Sequence, residues 1–125
     1  MAREVIITIG NNSVRKRIAE NLKVKFGSVV HPNAILDETA TLGLGTAVMA
    51  GSVINSSVVI GKHCIVNTSS SIDHDCTLED YVHISPNATL CGGVKIGEGT
   101  HIGAGAVIIP NVSIGKWCVI GAGTV

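Results

Sequence analysis

Residues 84–108 read ISPNATLCGGVKIGEGTHIGAGAVI, with an aliphatic residue at every sixth position: Ile84, Leu90, Ile96, Ile102 and Ile108. The series runs on in both directions, from Leu36 to Ile120, fifteen positions without an exception. Two residues earlier a second series runs from Ala34 through Thr46, Val58, Ser70, Val82 and Val94 to Thr124, every member small or β-branched. A period of six fits neither the 3.6 of a helix nor the 2 of a simple strand. It fits short strands, each followed by a turn, that aim one aliphatic residue inward on each side of a coil. Three such sides close a triangle, so one coil takes three hexapeptides. Successive coils then stack as parallel strands about 4.8 Å apart, with like side chains above one another.

The composition agrees. Phe, Trp and Tyr occur once each, whereas Val and Ile together supply 32 of 125 residues. Ordinary cores of this size lean on several aromatics, but a narrow triangular bore holds only aliphatic and small side chains. Cys64, Cys76 and Cys118 fall in the small inward series, so packing is their expected role. Glycines that follow the aliphatic position (Gly43, Gly61, Gly97, Gly103, Gly115 and Gly121) are expected to supply the freedom needed at each bend. Residues 31–125 thus predict an all-β parallel β-helix of about five coils, roughly 25 Å tall.

Residues 1–30 lack the repeat and read as a small β-α-β unit. Val5 to Ile9 predicts a strand, Asn11-Asn12-Ser13 offers helix caps, Val14 to Leu22 predicts a helix, and Val24 to Val30 a second extended segment. The unit carries a charge of +4 and the remainder −4, which suggests two pieces of different origin. Overall neutrality argues for neither nucleic acid nor a membrane surface as partner, and no apolar run reaches the ~18 residues of a membrane span. Four cysteines without a C-x-x-C spacing suit a reduced, cytoplasmic setting.

Positions three hexapeptides apart lie one above another in such a coil. His74 is therefore below Gly92, and His83 below His101; His63, Tyr81, Gly99 and Trp117 share a further column. His74 stands between Asp73 and Asp75 and faces away from the bore. A carboxylate on one ring nitrogen would fix the tautomer and raise the basicity of the other; a solvated histidine with acidic neighbours is the plainer alternative. Gly92-Gly93 is either a turn pair or a place where a carbonyl can approach a backbone N–H. His83 and His101 form an outward ladder, either of surface residues or at a contact. The histidine spacings of 11, 9 and 18 do not suit a zinc site, so no metal is expected. Arg15-Lys16-Arg17 could meet phosphates or form a solvated helix face. Tyr81 and Trp117, too large for the bore, are expected at a subunit or ligand contact.

The run from Ser69 through Asp73-His74-Asp75-Cys76 and His83-Ile84-Ser85-Pro86 to Gly92-Gly93-Val94-Lys95 resembles the NeuD/PglD-like bacterial sugar O- and N-acetyltransferases. Ile9-Gly10-Asn11-Asn12 resembles the end of that family's nucleotide-sugar-binding domain. The resemblance implies a left-handed β-helix, against the general right-handed preference of crossover connections. It implies a homotrimer with active sites between subunits, acetyl-CoA as co-substrate, and a sugar acceptor that is nucleotide-linked. His74 matches the catalytic base and Asp75 the acid that raises its basicity. His83, Gly92, Ala104 and Ala122 match acetyl-CoA contacts, and Gly10 a glycine beside the sugar nucleotide. Residues 1–30 then correspond to a remnant of the sugar-binding domain. The resemblance leaves N- and O-acetylation open, and a non-catalytic trimeric scaffold is the rival that a missing half domain favours.

Overall fold

The computed structural model describes residues 3–125 and shows a left-handed parallel β-helix with a small unit docked on one flank. The small unit comprises β1 (Glu4–Val5), α1 (Asn12–Asn21) and β2 (Lys25–Phe26). β1 and β2 pair in parallel. Asn11 caps α1, its side chain accepting from the Val14 N–H at 3.0 Å. The first strand is shorter than Val5 to Ile9, because Ile6–Ile9 has no strand partner and instead leads into the cap.

The helix proper begins with β3 (Val29–Val30), which pairs with Ala47–Val48. Every later rung is equally short and pairs with the rung one coil on, as Ile54 does with Ile72 and Ile72 with Leu90. Three parallel sheets result, of five, five and six rungs. Rungs this short accumulate little twist, and twist is what enforces right-handed crossovers elsewhere. The aliphatic series fills the bore: Ile54, Ile72, Ile84, Leu90 and Ile102 have no exposed surface. Each such side chain contributes about 1.5–3 kcal/mol by leaving water. Hydroxyls and thiols of the small inward series are satisfied by main-chain carbonyls, several of them on the next coil: Thr100 Oγ1 donates to Gly115 O at 2.6 Å and Cys76 Sγ to Cys91 O at 3.1 Å, whereas Ser70 Oγ donates within its own coil to Asn67 O at 2.7 Å.

The corners correct one expectation. Positive φ recurs at corners from Gly45 to Gly123, and eight of these positions are not glycine: Ser57, His63, Ser69, Asp75, Tyr81, Asn87, Asn111 and Trp117. The left-handed residue thus lies three places after the inward aliphatic, not directly after it. The cost of that conformation, about 1–2 kcal/mol per residue, is offset by a bond that repeats along the stack. At most corners the N–H donates to the carbonyl just before the corner of the coil below, as in Asp75 to Ser56 (3.0 Å) and Trp117 to Glu98 (2.7 Å), while the Ser57 N–H donates to Thr39 Oγ1 (2.8 Å). The glycines after the aliphatic serve a different need. A Cβ on Gly97 would lie 2.5 Å from the Gly115 carbonyl carbon, so glycine there lets adjacent coils approach.

Arg15 fastens the small unit to the stack. It is fully buried, contrary to a solvated helix face. Its guanidinium donates to the carbonyls of His63 (2.7 Å), Ile9 (2.9 Å) and Tyr81 (3.1 Å), and to Asn12 Oδ1 (2.7 Å). Among the described residues no carboxylate pairs with it. Burial lowers its pKa, while the fixed carbonyl dipoles supply what solvent would. Asn12 Nδ2 adds a bond to Gly99 O at 2.9 Å, and Lys16 an ion pair with Glu98 at 2.7 Å.

Candidate active site

His74 sits at the corner that follows the Ser71–Ile72 rung. Its main chain is held from below: the His74 N–H donates to Asp73 Oδ1 at 2.8 Å, and Asn55 Nδ2 donates to the same oxygen at 3.1 Å. These two bonds, the backbone one foremost, keep the Asp73 carboxyl below its usual range. Asp75, left-handed at φ 61°, turns its carboxylate back so that Oδ2 takes the His74 Nδ1–H at 2.9 Å. That bond, reinforced by the charge of Asp73, raises the His74 pKa. With Nδ1 committed, Nε2 is the basic nitrogen.

Gly92 lies where Nε2 points. A Cβ there would be 2.6 Å from both Cε1 and Nε2 of His74, so a side chain would displace the imidazole. The Gly93 N–H is spent on the His74 carbonyl at 2.9 Å. The Gly92 N–H has no acceptor among the described residues. A base therefore stands beside a residue whose backbone N–H is unpaired, the two groups that removal of a proton and stabilisation of an oxyanion call for.

His83 and His101 stack with ring centroids 4.8 Å apart, one coil above the other. His83 does not form a surface ladder; the N-terminal unit buries it. Its Nδ1 meets the Gly10 carbonyl and its Nε2 the Asn67 Nδ2, both at 3.2 Å. A carbonyl can only accept, so Nδ1 carries the proton and Nε2 accepts from Asn67. Burial brings the His83 pKa down to about 4, and the ring is neutral. His101 Nε2 pairs with Ser85 Oγ at 2.6 Å, and burial lowers its pKa too. The sequence assigns no role to Asn67, nor to Ser85 beyond its place in the His83–Pro86 run. Asn67 precedes His83 by the same offset as Ser85 precedes His101, and that recurring offset is the signal that finds such partners.

The predicted residues occupy three places in one chain. His74, Asp75 and Gly92 share one corner. His83 and Gly10 meet on the third sheet beside a cleft of about 210 Å³ lined by Asn11, Ser13, His101, Trp117 and Val119. Ala104 and Ala122 are stacked at the next corner, both exposed, and joined through the Gly123 N–H to the Ala104 carbonyl at 2.8 Å. Tyr81 and Trp117 contact the chain's own helix: Lys16 Nζ lies 5.8 Å from one ring centre and 5.4 Å from the other. Tyr81 also stacks on His63, 5.4 Å between centroids. Among the described residues no three His, Cys, Asp or Glu side chains converge as metal ligands. Among them, too, no helix is long and apolar enough to cross a membrane.

The family profile of bacterial transferase hexapeptides (six repeats) matches residues 75–110 and 93–125. The acetyltransferase domain of PglB from Neisseria gonorrhoeae, solved with acetyl coenzyme A, superposes with a TM-score of 0.95 at 39% identity, over 98% of this chain and 61% of that one. PerB from Caulobacter crescentus, solved with CoA and GDP-perosamine, gives 0.93 at 37% identity, over 96% of this chain and 59% of that one. UDP-N-acetylbacillosamine N-acetyltransferase of Bacillus subtilis is 48% identical over 44 residues, 33% of this chain and 20% of that protein. The chain spans roughly three fifths of the length of these structural relatives.

Proposed function

We propose that this chain, a member of the NeuD/PglD-like hexapeptide-repeat sugar acetyltransferases, moves acetyl from acetyl-CoA to an amino group of a nucleotide-linked sugar. The observation that carries the reading is the His74–Asp75 pair, its imidazole seated in the space that the missing side chain of Gly92 leaves. The relatives that contain acetyl-CoA, or CoA with GDP-perosamine, supply the donor and acceptor classes.

In this mechanism the neutral amine attacks the acetyl carbon and a C–N bond forms. His74 Nε2 takes the proton that the amine loses. The Gly92 N–H donates to the carbonyl oxygen as it becomes an oxyanion. Collapse breaks the C–S bond, and the proton on His74 passes to the departing thiolate. His83, with both nitrogens committed, would touch the cofactor through its ring and serve neither as base nor as metal ligand. Ala104 and Ala122 would present backbone to the same cofactor, and Gly10 would adjoin the sugar nucleotide. These residues stand at separate faces of one chain, so a single site needs neighbouring copies. A homotrimer with sites between subunits brings them together. The four free cysteines suit a reducing cytoplasm.

Thiol release from acetyl-CoA, measured against amino and hydroxy sugars both free and nucleotide-linked, tests the reading. Turnover with nucleotide-linked amino sugars is expected. Turnover confined to hydroxy sugars would make the chain an O-acetyltransferase. No thiol release, and no heat on titration with millimolar acetyl-CoA, would leave a β-helical scaffold.

A further inference from the structure

The stacked rings of His83 and His101 are not equally satisfied. They are parallel to within 3°, and the Nε2 of each meets the side chain sixteen residues earlier, Asn67 for His83 and Ser85 for His101. The two rings therefore share one orientation, and Nδ1 leaves both on the side opposite those partners. For His83 that side holds the Gly10 carbonyl. One coil higher, His101 Nδ1 has no hydrogen-bond partner among the described residues, and it is not sealed from solvent. The half-buried His101 instead lines the cleft of about 210 Å³ that Gly10, Asn11, Ser13, Trp117 and Val119 also line. Burial keeps its ring neutral, so one nitrogen donates and the other accepts.

We propose that His101 recognises the acceptor, its Nδ1 hydrogen-bonding a hydroxyl group of the sugar ring held in the cleft beside Gly10. This rests on the acetyl-transfer reading, in which Gly10 adjoins the sugar nucleotide. The Ser85–His101 pair favours a hydroxyl over other groups. Ser85 is buried, and its Oγ, 2.6 Å from His101 Nε2, can either give or take a proton. Nδ1 can therefore present a proton or a lone pair, and a ligand hydroxyl matches both states. A carboxylate or an ammonium group matches only one. The cleft is smaller than the roughly 300–1,000 Å³ of sites that enclose a drug-sized ligand, so it takes a single ring rather than a whole nucleotide sugar.

Selectivity among sugars tests this better than rate. His101→Phe keeps a flat ring over His83 and removes Nδ1. Joining it to Ser85→Ala avoids leaving a buried hydroxyl without its partner. The double variant is expected to keep the thermal midpoint and the KM for acetyl-CoA, while the KM for the best nucleotide-linked amino sugar rises about 3- to 10-fold. Each hydroxyl of that sugar is then removed in turn. With wild type, one deoxy analogue should lose a similar factor in kcat/KM; with the double variant, that analogue and the parent sugar should react alike. A merely structural role would raise KM for parent and analogues equally. Such a uniform rise, or a KM within twofold of wild type, overturns the role of His101 and leaves acetyl transfer standing. So does a wild-type chain that treats every deoxy analogue as it treats the parent, a result that needs no variant. A wild-type chain that releases no thiol with any amino sugar overturns the acetyl-transfer reading, and this assignment with it.

Discussion

The Nε of Arg15 donates to the main-chain carbonyl of His63 at 2.7 Å, a bond between the N-terminal helix and a corner of the stack that is sealed from solvent. Around it the same guanidinium gathers carbonyls from the N-terminal unit and from two stacked corners. One side chain therefore sets where the small unit rests on the solenoid.

Replacing Arg15 with Met keeps most of the volume and strips donors from several buried carbonyls. The expected cost is about 3 kcal/mol or more, read from denaturant midpoints. Hydrogen exchange should show residues 3–26 opening before the coils do. Equal protection of both parts would show that the small unit docks by other means.

His74 should titrate above an ordinary histidine, because Asp75 stabilises its protonated form. NMR titration of the ring checks this, and Asp75→Asn should move the midpoint down. The base is active only when neutral, so turnover rises with pH through the His74 pKa. The acid limb of the Asp75→Asn profile should shift to lower pH, at a reduced plateau. His74→Ala should cost about 10²–10⁴ in turnover with the assembly intact.

Gly92→Ala should leave the fold nearly unchanged, since Gly92 is not among the left-handed corner residues. The added methyl meets the imidazole and pushes Nε2 off its line. Turnover should drop at least tenfold with little change in thermal midpoint. A crystal structure of the variant with His74 unmoved would contradict the close approach described above.

His83 gives the protein an acid sensitivity. Its folded pKa, about 4, lies below the 6.5 of an unfolded histidine, so the unfolded chain binds the proton first. The stabilisation is full above pH 6.5 and is lost as pH falls from 6.5 to 4, in total about 3 kcal/mol. His83→Gln, which cannot protonate, should flatten that part of the stability curve. A curve as steep as wild type would place the sensitivity elsewhere.

The bore was legible in the sequence because it permits so few residue types: from Ile54 to Ile108, each sixth position must be aliphatic and is buried. The His74, Asp75 and Gly92 cluster was legible for the same reason, since a strict coil of three hexapeptides turns sequence separation into height. The surroundings of His83 were not. Its burial depends on Gly10, far away in the chain, arriving through a docking that no periodicity encodes. The burial of Arg15 is hidden from the sequence for a related reason. On an isolated helix a basic run belongs in water, and only the carbonyls of two corners make a buried guanidinium tolerable. The sequence points the glycines after the aliphatic to bending, because glycine usually serves that end. Here side chains take most of the left-handed positions in the middle of the stack, and several glycines serve closeness instead.

The coil also works as a reading frame. Inserting a whole coil between Gly93 and Asn111 would lift Asn111 by one storey, while His74 would still meet Gly92. Inserting a single hexapeptide between Asp75 and Gly92 would preserve every inward aliphatic, yet it would turn Gly92 by a third of a revolution onto another face. The bore cannot distinguish the two edits; the chemistry at the corner can. Length changes in multiples of six leave the bore filled, and only multiples of eighteen keep each side chain on its own face.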